Sequence, residues 1–95
     1  MTLGSAEGQT TIARVAAHTG ISASVILGRS RTMAVTYARH LAIYLLWKQG
    51  ESIMALGGLF DRDRSTVLHA VRRIEAERYN RAETRADLEA LEKEA

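Results

Sequence analysis

Ninety-five residues, 46% hydrophobic and 25% charged, make one small soluble domain with no room for a second core. The absence of Cys excludes disulfides and thiolate metal sites, and 15 Ala and 10 Leu with no Pro and only 5% aromatics favour packed helices over a β-sandwich. The net charge of +2 is uneven: residues 1–74 hold nine basic against four acidic side chains, residues 75–95 four against seven, so a polyanion is the expected partner of the body.

In chain order, residues 1–9 are small, polar and Gly-containing, and read as a flexible N-terminus. A first helix is predicted from about Thr10 to Thr19, with Ile12, Val15 and Ala16 on one face and Gly20 at a left-handed cap. Ser22 or Ser24 can cap a short turn carrying Val25, Ile26 and Leu27, after which Gly28-Arg29-Ser30-Arg31 forms a small basic loop. The third helix, about Met33–Gln49, is apolar nearly all round. Ala34, Ala38, Leu41, Ala42 and Leu45 form one stripe, and Met33, Tyr37, Ile43, Tyr44 and Trp47 another. Such a helix is central, with neighbours on both sides. The alternative is a patch at Ile43/Trp47 that binds a second copy or a protein partner.

Ser52 caps a helix to Phe60, and Asp61-Arg62-Asp63-Arg64 is a charged turn. Ser65 then caps a periodic helix to about Tyr79 whose inner face is Val67, Ala70, Val71 and Ile74. Thr84–Asp87 has capping-box spacing and opens an acidic helix with Leu88 and Leu91 inward. The result is an all-α domain over 10–79, followed by an acidic C-terminal helix within 80–95.

The segment Ser52–Arg73 has the layout of a helix-turn-helix, whose second helix enters a major groove. With Val67 pointing inward, Ser65, Thr66, His69, Arg72 and Arg73 share the outer face, which carries no carboxylate before Glu77. Hydroxyls and the Thr methyl suit base edges, and arginines suit phosphates or guanine. Arginines in the 28–31 loop suit an adjacent minor groove. Asp63 reads as an orienter of nearby side chains. His18, His40 and His69 lack metal-ligand spacing, and no nucleophile has a placed base, so no enzyme, metal or cofactor is expected.

Leu27–Leu46 and Leu56–Ile74, including Arg62-Asp63-Arg64-Ser65-Thr66-Val67-Leu68-His69-Ala70 and the ending Arg72-Arg73-Ile74, resemble the C-terminal DNA-binding domain of the bacterial replication initiator DnaA. Thr11–Leu27 fits its first helices. The resemblance implies a Trp-repressor-like helix-turn-helix that binds a short, asymmetric duplex box. It puts Arg31, with Arg29 beside it, at the minor groove, and Arg39 and His40 near the DNA. Asp63, Arg64, Ser65 and Thr66 fall at the major groove, and His69 continues that face. Arg64-Ser65 stands where the family has His-Thr, His40 stands where an amide is common, and the loop after Phe60 is one residue shorter. Arg64 offers a bidentate guanine contact that histidine cannot, so a different preferred box is expected.

The family's ATPase domain has no counterpart here: the length is too short and no GxxxxGK(S/T) run occurs. The expectation is therefore a stand-alone regulator of transcription or replication initiation that acts by occupying sites. The alternatives are an excised domain of a full initiator, or an interaction module using residues 80–95. No stretch approaches 18 apolar residues and no signal-peptide profile is present, so a cytoplasmic, nucleoid-associated protein without membrane contact is expected.

Overall fold

The central element is a helix buried on nearly every side, against which the others are stacked. The computed structural model describes residues 6–93, and within them lie α1 (Ala6–Thr19), α2 (Ala23–Leu27), α3 (Met33–Lys48), α4 (Ile53–Phe60), α5 (Arg64–Asn80) and α6 (Ala82–Lys93). No strand occurs among the described residues.

Side-chain caps start four of these helices. Ser22, Thr32 and Ser52 accept the amides of Val25, Val35 and Ala55, and Asp63 accepts that of Thr66. Gly20 and Gly50 adopt positive φ after α1 and α3, where a Cβ would be strained. On α3, Ala38 and residues 41–46 are all buried, as expected of a central helix. Tyr44 is fully buried as well. Its hydroxyl donates to Glu75 and accepts from Arg78 Nη1 at 3.1 Å, so its polar tip is satisfied. Ile12 and Val15 of α1, Leu56 and Phe60 of α4, the four inner residues of α5, and Leu88 and Leu91 of α6 complete one core.

Several boundaries differ from the sequence expectation. Helix α1 starts at Ala6, so residues 6–9 of the predicted flexible N-terminus are helical, and residues 1–5 lie outside the described residues. Helix α5 is capped by Asp63, not Ser65, because Asp61 takes the left-handed conformation (φ 51) and closes the turn in three residues. The Thr84 capping box does not form. Helix α6 starts at Ala82, and Thr84 is a buried residue inside it.

The proposed Ile43/Trp47 patch is also corrected. Ile43 is 1% exposed because α3 has neighbours on that side too, which leaves Trp47 at the rim with its ring centroid 6.0 Å from that of Tyr44. Leu88 and Leu91 are inside the core, so the apolar side of α6 is occupied by the domain itself.

Candidate nucleic-acid interface

Helices α4 and α5 meet at the turn 61–63, and Gly57 makes the tight approach possible. A Cβ there would lie 2.9 Å from the Arg62 carbonyl oxygen, and the Arg62 amide donates to the Gly57 carbonyl at 3.0 Å. From this turn α5 leaves with Val67, Ala70, Val71 and Ile74 buried. The opposite face presents Arg64, Ser65, Thr66, His69, Arg72 and Arg73, all exposed. Asp63 arranges the first turn. Hydrogen bonds from Thr66 and then Ser65, whose hydroxyl lies 3.1 Å from Oδ1, hold its carboxyl below the ordinary carboxylate range. A Ser65 hydroxyl that donates inward to Asp63 keeps its lone pairs for an outside donor.

The arginine loop is attached to the same turn. Arg62 Nη2 donates to the Gly28 carbonyl at 2.8 Å, while its Nη1 donates to the Phe60 carbonyl at 2.6 Å. Arg29 is exposed and pairs with Asp61. Arg31 is exposed and lines one cleft of about 300 Å³ together with His40 of α3 and Arg73 of α5. The loop and the outer face of α5 therefore lie on one side of the molecule.

Two expectations change. Arg39, expected near DNA, is only 6% exposed. Its Nε donates to the Ile26 carbonyl at 2.7 Å and its Nη2 to the Gly28 carbonyl at 2.9 Å. Those carbonyls belong to the C-terminal end of α2, where helical partners run out. Arg39 is thus a strut under the arginine loop, and burial, then the charges of Arg62 and Arg29, lower its pKa. Arg62, expected on the reading surface, is half-buried and serves the loop in the same way, so that Gly28 oxygen accepts from both arginines.

His40 is partly buried, its ring edge-on to that of His69 with centroids 6.1 Å apart. Burial, then the charges of His69, Arg73 and Arg39, push its pKa down from 6.5 to about 4, with Glu77 opposing. A neutral imidazole at neutral pH follows. A histidine depressed in this way favours the fold while uncharged. Its contribution is complete above pH 6.5 and disappears as pH falls towards about 4, because the unfolded chain binds the proton first. After discounting for solvent screening of a partly exposed ring, this is on the order of 2 kcal/mol. Thermal unfolding of the wild type between pH 7.5 and 4.5 should show that loss, and His40→Gln should flatten it. An unchanged acid slope in the variant would assign the titration to other groups.

Sequence reasoning missed Glu77, Thr84, Tyr37 and Asp87, which form a polar chain beside Arg73. Arg73 Nε donates to Glu77 Oε2 at 3.0 Å, and the buried Thr84 hydroxyl donates to Glu77 Oε1 at 3.2 Å. The only sequence signal was Glu77 as the first carboxylate on the outer face.

Six helices with this turn and this exposed face define a protein of the helix-turn-helix class. The sequence pattern of the family described as bacterial DnaA protein helix-turn-helix matches residues 9–74, and the chain belongs to that family. Over 60 residues it is 40% identical to the chromosomal replication initiator protein DnaA of Tropheryma whipplei (strain Twist), covering 62% of this chain and 13% of that protein. It is 38% identical over 65 residues to chromosomal replication initiator protein DnaA 1 of Chlamydia pneumoniae, covering 67% and 14%. To the DnaA of Deinococcus radiodurans it is 39% identical over 62 residues, covering 64% and 13%. The chain thus spans about one seventh of the length of these relatives. Among the described residues no helix is long and apolar enough to cross a membrane.

Proposed function

We propose that this chain binds double-stranded DNA sequence-specifically and acts as a regulator by occupying its sites. In this reading α5 lies in a major groove with Arg64, Ser65, Thr66 and His69 toward the bases, and Arg72 and Arg73 meet phosphates. Arg31 enters the neighbouring minor groove, with Arg29 on the backbone. The observation that supports it most is that Arg31 and Arg73, from elements 42 positions apart in sequence, line one cleft beside a carboxylate-free face. The relatives are named as replication initiators, so sites shared with an initiator are the first to examine.

Selection from random duplexes yields the preferred site, and its map on the source genome separates the roles. Clustering at an origin favours replication control, whereas positions upstream of genes favour transcription. On the selected duplex, Arg31→Ala should weaken binding by about 1–3 kcal/mol. The melting temperature should stay within a degree or two, because the side chain is exposed. Undiminished affinity would remove the minor-groove role. A salt-independent affinity would remove the duplex reading altogether.

A further inference from the structure

The chain of hydrogen bonds behind Arg73 runs across the whole domain. From Arg73 it passes to Glu77 on the same helix and then to Thr84 of α6. Thr84 Oγ1 lies 3.3 Å from the Tyr37 hydroxyl of α3, which donates to Asp87 Oδ2 of α6 at 2.6 Å. Asp87 Oδ1 in turn meets His18 Nε2 of α1 at 2.8 Å. Every link joins side chains with fixed partners, and burial together with Asp87 raises the Tyr37 pKa, so that hydroxyl stays a donor.

An exposed i,i+4 ion pair is ordinarily a loose contact that constrains neither partner. This one differs in its anion. The Glu77 side chain is only 15% exposed, against 55% for Arg73, and its second oxygen is held by a threonine that is 1% exposed. The carboxylate is therefore fixed from α6, and Arg73 is tethered to a fixed point through Nε. Among the described residues the terminal nitrogens of Arg73 make no hydrogen bond, so they remain for a ligand at the cleft shared with Arg31. Ordering a long side chain at an interface is costly, and a side chain ordered beforehand avoids part of that cost.

We infer that Thr84 and Glu77 are positioning residues for DNA binding: α6 holds Arg73 through them in the orientation that a duplex phosphate requires. This rests on the assignment of Arg73 to the DNA-facing set. It gives the acidic C-terminal helix a part in recognition without any contact to DNA, and it accounts for a carboxylate tolerated at the edge of a basic face.

A double-mutant cycle on the full chain tests it, with the duplex recovered by selection and a random-sequence duplex of equal length as probes. Arg73→Ala should weaken binding to the selected duplex. Were it without effect, the DNA-facing assignment would fall and the inference with it. Thr84→Val should weaken binding about three- to tenfold in the Arg73 background, with the salt slope unchanged because no charge is altered. The same change should do nothing further in the Arg73→Ala background, and Thr84→Ser, which keeps the hydroxyl, should retain wild-type affinity. Wild-type affinity in a folded Thr84→Val protein, or an equal loss in both backgrounds, would overturn the positioning role alone. Should Thr84→Val not fold, Glu77→Gln supplies the cycle. It should lower the ratio of selected to random affinity severalfold when Arg73 is present, and an unchanged ratio, or the same drop without Arg73, overturns the inference.

Discussion

Val67→Asp is expected to leave the chain unfolded at neutral pH. Val67 has no exposed surface and faces inward from the first turns of α5, in the same core as Leu56, Phe60 and Leu41. An aspartate there forfeits about 1.5–3 kcal/mol of apolar burial. It must also either ionise without a partner or take up a proton. A carboxyl shifted upward by about 3–5 units costs a further 4–6 kcal/mol or so at neutral pH. A domain of this size has roughly 5–14 kcal/mol of total stability, so the change takes most or all of it. Circular dichroism should show loss of helix, and Val67→Asn, which cannot ionise, should lose less. A cooperative transition in Val67→Asp near the wild-type temperature would mean that the phase of α5 is misassigned, and with it the outer face.

That phase was legible in the sequence because α5 is amphipathic: its four inner residues and its exposed face alternate at helical spacing, and the structure puts each on the side expected. Helix α3 shows where the same reasoning stops. It is apolar nearly all round, so periodicity alone gives an arginine on it no direction. Arg39 points inward because two carbonyls at the end of α2, 13 and 11 residues earlier, await donors there, which is a non-local fact. Ile43 was misread for the same reason, since only the arrival of neighbours on that side buries it.

Thr84 failed differently. Its spacing to Asp87 imitates a capping box, a local signal, yet the hydroxyl is claimed by Glu77 from α5 and the helix starts two residues earlier. At the turn before α5, Asp63 and Ser65 are both good caps, and the left-handed Asp61 decides for Asp63. The outer face, the inner face and the arginine loop could thus be read from the residues. What joins them, namely Arg39 and Arg62 on the Gly28 carbonyl and α6 behind Arg73, is made of contacts between distant segments.

Arg39→Ala carries the second large effect, and it separates a strut from a contact residue. The substitution removes two hydrogen bonds from a charged donor and leaves the Ile26 carbonyl without its partner. Such bonds contribute about 1.5–3 kcal/mol each, and relief from the charges of Arg62 and Arg29 returns part of that, so a net loss of about 3 kcal/mol is expected. For a domain of this length that corresponds to a fall of roughly 12–24 °C in melting temperature. Arg62 still reaches the Gly28 carbonyl, so the loop is loosened and not released. Affinity for the selected duplex should nevertheless drop as far as in Arg31→Ala, measured well below the lowered melting temperature. In the Arg31→Ala background the same change should add little, because the only DNA contact it supports is already gone. Arg39→Lys should recover part of the stability but not span both carbonyls, since an ammonium lacks the planar fork. A variant as stable as wild type that nonetheless loses affinity would turn the assignment round and make Arg39 a residue that reaches DNA.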